Sequence, residues 1–108
     1  MEVIHVVTTD CRPEFEDKFN KWYDEVHIPM LFKLKGLREV TRYKLWVEVE
    51  EHPKYLTIYK FESEEAYAAY LASPEKAAAG KEMIETWRGG GWEVKGRRQY
   101  VPMRSWKK

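Results

Sequence analysis

A chain of 108 residues, 44% of them apolar and 15% aromatic, is long enough for one packed core and too hydrophobic for a disordered segment. Its 19 Lys+Arg against 18 Asp+Glu leave a formal net charge of +1, which excludes the basic field of a nucleic-acid or membrane-surface binder. Cys11 is the only cysteine, which excludes an internal disulfide and fits a reducing cytoplasm.

The N-terminal stretch MEVIHVVTTDC has no basic n-region and no long apolar h-region, so no signal peptide is expected. No apolar run approaches the roughly 20 residues that cross a bilayer. Residues 2–9 (EVIHVVTT) form a short, β-branched, nearly continuous apolar run, as in a central strand covered on both faces. A helix is predicted over 10–27, with Pro13 at a first helical position and Glu14, Glu16 and Asp17 facing the positive end of its dipole. Phe15, Phe19, Trp22 and Val26 make its apolar stripe. Pro29 biases Ile28 away from the α region, so the helix is expected to end near His27.

After a turn at 30–36, residues 37–50 alternate and carry many charges, as an edge strand does. A second central-type strand, YLTIYKF, is predicted at 55–61. Ser63 caps a helix at 63–73, Pro74 interrupts it, and helix resumes at 75–87. RGGG (88–91) is a loop, and 92–103 is a last strand whose Gly96 marks an edge or a bulge.

The order β-α-β-β-α-β is the ferredoxin-like split arrangement: an α+β fold with a four-stranded antiparallel sheet and strands one and three in the centre. Residues 1–108 are read as one domain. The helices cover one face of the sheet. Val3, His5, Val7, Tyr55, Thr57 and Tyr59 alternate with Ile4, Val6, Leu56 and Ile58, so the other face is apolar too and needs a cover. A second copy packed face to face supplies it, and a homodimer is expected.

One helical flank carries chemistry. At about 100° per residue, Asn20, Tyr23 and His27 run along the edge of the apolar stripe, with Asp24 just beyond. Such a flank borders a cavity mouth. At a helix C-terminus, exposed carbonyls favour the imidazolium, and a histidine there exchanges a proton or donates a hydrogen bond near neutral pH. The alternative is that His27 only caps the last carbonyls, that Asn20 is a surface amide, and that Trp22 and Tyr23 are core. Arg42 and Tyr43 alternate, so only one reaches the helix side, and Tyr43 is the one assigned there. His5 reads as a satisfied core histidine and His52 as a solvated turn residue. No His, Cys or carboxylate spacing matches a metal site.

The segment FNKWYDEVHIPMLFKLKGLREVTRYKL (19–45), with its WY-x-x-x-HIP helix end leading into a GL…RY strand, resembles the dimeric α+β barrel superfamily and its EthD-like members. The resemblance implies a ligand cavity between helices and sheet in each subunit, with the family's helix-end histidine at His27 and its strand-two aromatic at Tyr43. It spans cofactor-free monooxygenases, lactone isomerases, polyketide cyclases and haem-binding relatives. The expected function is therefore a cytoplasmic, cofactor-independent enzyme or binder for a small, apolar, oxygenated molecule. His27 is its catalytic acid/base or hydrogen-bond donor; Asn20, Trp22, Tyr23 and Tyr43 contact the ligand. A non-catalytic homodimeric module and a haem-binding member are the alternatives.

Overall fold

The computed structural model describes all residues, 1–108. Its sheet follows from two strands that alternate along their whole length. In β1 (Val3–Cys11), Val3, His5, Val7 and Thr9 are buried; in β3 (Tyr55–Phe61), Tyr55, Thr57, Tyr59 and Phe61 are. These two pair antiparallel, His5 opposite Tyr59 and Val7 opposite Thr57, so the buried sets share one face. The edges are β2 (Leu37–Lys44) and β4 (Trp92–Tyr100), giving the order β2-β3-β1-β4 with every pair antiparallel. The ferredoxin-like α+β expectation is borne out, central strands included. Both edge strands are shorter than their sequence spans, 37–50 and 92–103. Lys44 pairs with Tyr55, the first residue of β3, and Tyr100 pairs with Ile4, one residue short of the start of β1. The bulge expected at Gly96 is present: Thr8 lies opposite Gly96 and Thr9 opposite Val94, leaving Lys95 as the extra residue.

The first helical region departs from its expected form. A short 3₁₀ turn (Pro13–Phe15) leads into α1 (Glu16–Trp22), a π-helical turn (Tyr23–His27) and α2 (Ile28–Leu31). The helix therefore does not end at His27. Pro29 lacks the N–H that an α-helix interior requires. The π turn has already broken the i→i−4 ladder, with the Ile28 N–H donating to the Tyr23 carbonyl. Pro29 then occupies the first turn of α2, where its missing donor costs little.

The second helical region is broken as the sequence indicates. In α3 (Glu64–Leu71) the Ser63 hydroxyl accepts from the Ala66 N–H at 3.0 Å, and in α4 (Pro74–Thr86) Ser73 does the same for Lys76 at 3.1 Å. The RGGG loop needs glycine at two places. Gly90 and Gly91 have φ of +74° and +126°, and a Cβ on Gly91 would stand 2.8 Å from the Phe15 ring.

The helices lie on one face of the sheet over two apolar clusters. One joins Val7, Leu31, Leu37, Tyr59, Phe61 and Ala79; the other joins Phe19, Trp22, Tyr23, Tyr55 and Trp87. The opposite face presents Ile4, Val6, Thr8, Leu56 and Ile58, all half-buried within the single chain, flanked by exposed Tyr43 and Tyr100. No helix is long and apolar enough to cross a membrane.

Candidate functional site

A cavity of about 500 Å³ opens where the two clusters meet, between the sheet and the helices. Val7, Leu31, Tyr59 and Ala79 line it from one cluster and Tyr23 from the other, and His5 and His27 both face it. Volumes of roughly 300–1,000 Å³ with mostly apolar walls and a few polar groups are typical of small-molecule sites.

The π turn decides what His27 touches. In an α-helix, residues five apart diverge by about 140°, but a π turn brings them over one another. Trp22 and His27 are five apart, and their rings stack with centroids 4.8 Å apart and planes 25° from parallel. Tyr23 meets the imidazole edge-on at 5.1 Å. The Trp22 indole is anchored in turn, Nε1 donating to Glu82 Oε1 at 2.8 Å, while Glu82 also accepts from the Thr86 hydroxyl. His27 is thus held rigidly, yet its Nδ1 is buried with no hydrogen-bond partner. Such an orphan costs free energy on the order of 1–3 kcal/mol.

Burial pushes the His27 pKa down to about 4, and the Glu82 charge offsets this only in part. The imidazolium expected from helix-end carbonyls is therefore not the resting state. The helix runs on past His27, and desolvation outweighs the dipole. At neutral pH His27 is a neutral imidazole.

His5, read from sequence as a satisfied core residue, is satisfied and also faces the cavity. The Gln99 amide nitrogen lies 2.9 Å from its Nδ1. When that amide donates, the proton of neutral His5 sits on Nε2. Its pKa is also lowered to about 4, first by burial and then by Arg97 and Lys76. Tyr59 shares a 3.0 Å hydrogen bond with Tyr23 through their hydroxyls, and burial raises its pKa well above the ordinary tyrosine value. No sequence pattern singled out Tyr67, Tyr70 or Gln99; the helix-side parity of β1 and β3 was the one signal available for His5 and Tyr59.

Three assigned ligand contacts lie elsewhere. Asn20 does not line the cavity: its Oδ1 accepts from Arg42 at 2.9 Å and its Nδ2 donates to the Tyr55 hydroxyl at 3.2 Å. Trp22 is core, behind His27. Tyr43 points to the opposite face, because it lies opposite Leu56, while Arg42 lies opposite buried Thr57. The cause is the register shift between Leu37 and Glu39, which leaves Arg38 unpaired and exchanges the faces of every later β2 residue. Arg42 is the residue that reaches the helices, bonding Asp24 at 2.9 Å and covering the Tyr23 ring at 4.4 Å. Of the assigned residues, the structure brings His27 and Tyr23 to the cavity.

The family profile described as Domain of unknown function (DUF4286) matches residues 2–90. The chain belongs to this family. No curated protein matches it. Among solved structures it is similar to an EthD family protein from Bacillus halodurans, with a TM-score of 0.70, 18% identity, and 95% of this chain and 100% of that chain covered. A variant of SnoaB, a cofactor-independent oxygenase from Streptomyces nogalater, matches at a TM-score of 0.62 and 16% identity, covering 99% and 98% of the two chains. A dimeric ferredoxin-like protein of unknown function from Jannaschia matches at 0.61 and 20% identity, covering 91% and 98%. These likenesses bear out the EthD-like expectation at the level of fold.

Proposed function

We propose that this protein is a homodimeric, cofactor-independent enzyme or binder whose cavity takes a small, largely apolar, oxygenated compound, with His27 accepting its proton or a hydrogen bond. The observation that carries this reading is His27, a half-buried imidazole in the wall of a cavity that it shares with Tyr23, Tyr59, Tyr67 and Tyr70. The likeness to SnoaB, an oxygenase without a cofactor, supports the same class of chemistry.

A neutral imidazole with a pKa of about 4 is a weak base, so it suits an acidic O–H or C–H, one whose conjugate base is delocalised. Proton transfer would leave an imidazolium and a ligand oxyanion side by side, and that opposite charge raises the imidazole's proton affinity. The Tyr23–Tyr59 hydroxyl pair and the His5 Nε2–H are donors on the same cavity for the oxygen that gains charge. Tyr23 also fixes the His27 ring edge-on, so it serves both position and recognition.

The test uses N-phenyl-1-naphthylamine, an apolar aromatic whose fluorescence rises in a dry pocket. Gly80 lines the cavity on α4, and a Cβ built there meets no atom within 4 Å. Gly80→Leu should therefore narrow the cavity, weaken binding of the dye and stabilise α4 by about 0.5–1 kcal/mol. Unchanged binding in Gly80→Leu would place the dye elsewhere and remove the cavity as the site. His27→Phe keeps the stack on Trp22 and deletes the orphan nitrogen, so unfolding in urea should show a gain of about 1 kcal/mol. A loss of 2 kcal/mol or more would make His27 a structural residue and favour a non-catalytic module.

The homodimer rests on the open sheet face, where Ile4, Val6, Leu56 and Ile58 form a continuous apolar patch on adjacent central strands. Light scattering should give twice the chain mass for the wild type. Val6→Arg, with a charge at the patch centre, should give a monomer; a dimer that survives it does not use this face.

A further inference from the structure

The side chains that line the cavity carry charge of one sign, while Glu82, outside the lining, acts on His27. Among its seventeen lining residues stand Lys76 and Arg97, and no aspartate or glutamate, although the chain holds 18 carboxylates. Lys76 comes from the first turns of α4 and Arg97 from β4, so two separate elements bring cations to one opening. Both side chains are exposed, and none of the chain's ion pairs includes either. Six of the other seventeen cations have a carboxylate at hand, among them Arg42 with Asp24 and Lys54 with Glu16.

The polar groups deeper in the cavity have the same bias. Tyr59 and Tyr70 keep their protons far above neutral pH because burial raises their pKa, so they offer hydroxyl donors. His5 offers an Nε2–H while Gln99 holds its Nδ1. Lys76 Nζ lies 5.9 Å from the Tyr70 ring, and Arg97 and Lys76 together help depress the His5 pKa, so their fields extend from the rim into the cavity. His27 stands in the same wall, its Nδ1 buried without a partner. A ligand complementary to this set has an aromatic or polycyclic body for the tyrosine and tryptophan walls and a negative charge at the rim.

We infer that the ligand of this cavity is an aromatic anion, a carboxylate or a similarly acidic group on a planar apolar body, with its charge held between Lys76 and Arg97. The inference deepens the proposed function and rests on that cavity being the site. It also sets the ligand's orientation. The anionic end stays at the rim, and the end that carries the reacting oxygen reaches toward Tyr23 and His27. Lys76 and Arg97 are binding residues in this scheme, and the proton exchange stays with His27.

Two dyes that share one scaffold test it. N-phenyl-1-naphthylamine is uncharged, and 8-anilinonaphthalene-1-sulfonate is the same skeleton with a sulfonate. At pH 7 and low salt, wild type should bind the sulfonate about tenfold tighter than the neutral dye, a difference of about 1.4 kcal/mol. The double variant Lys76→Met, Arg97→Met should lose that preference. Both positions are exposed, so the variant folds. Gly80→Leu should weaken binding of both dyes, which separates the cavity from the open sheet face. Equal affinities in wild type, or a preference that survives the double variant, would overturn the anion assignment while leaving the cavity intact. Binding of neither dye, or binding indifferent to Gly80→Leu, would overturn the proposed site and this inference with it.

Discussion

Between pH 7 and pH 5 the folded protein should lose about 2 kcal/mol of stability through His27 alone. In the unfolded chain an ordinary histidine takes up its proton near pH 6.5, whereas in the fold burial delays uptake to about pH 4. The unfolded state therefore binds more protons across this window, and acid pulls the equilibrium toward it. The stabilisation is complete above pH 6.5 and is lost as the pH falls toward 4. His5 acts in the same sense, through burial and the nearby Arg97 and Lys76 charges. Glu82 is the charge opposing the effect at His27. Urea unfolding at several pH values, at one protein concentration, reads the slope directly. His27→Phe should flatten the profile by its share. An unchanged slope in that variant would mean that His27 titrates as a solvated histidine and is not held in the cavity wall.

Phe19→Ala should cost about 4 kcal/mol, the largest single loss available in this chain. The Phe19 ring is 0% exposed and touches the rings of Trp22, Tyr23, Tyr55, Trp87 and Trp92 at 5.3–6.4 Å between centroids. These five cannot close the gap together, because Trp22 is tied to Glu82, Tyr23 to Tyr59, and Tyr55 to Asn20 and Glu16. A void therefore remains and adds its own penalty to the lost burial. Since Trp22 and Tyr23 also hold the His27 ring, the variant should bind the naphthylamine dye more weakly than its residual stability alone explains. A loss below 2 kcal/mol in urea would show that the aromatic cluster repacks freely.

The Arg42 brace and the π turn illustrate where local sequence reasoning reaches its limit. Composition and alternation sufficed for β1, β3, the strand order and the Ser63 cap, because each depends on contacts within a few residues or on burying one face. The face of Tyr43 did not follow, since an extra residue at Arg38 reverses the parity of β2 and leaves no mark in an already charged segment. Pro29 was equally ambiguous. A proline stops an ideal α-helix, but a π turn placed before it lets the helix run to Leu31. That turn also brings His27 over Trp22, a pairing that a 100° wheel sets on different sides.

The sequence by itself determined the βαββαβ order, the central placement of β1 and β3, the two-sided apolar sheet, and His27 and Tyr23 as residues of interest. Those features rest on periodicity and on residue types that have few alternative uses. Only the tertiary structure decided that Asn20 and Trp22 serve packing, that Arg42 and not Tyr43 meets the helices, and that His5, Tyr59, Lys76 and Arg97 converge on one cavity. Convergence of that kind joins residues up to 92 positions apart, between His5 and Arg97. It depends on strand register and helix packing, which no local pattern encodes.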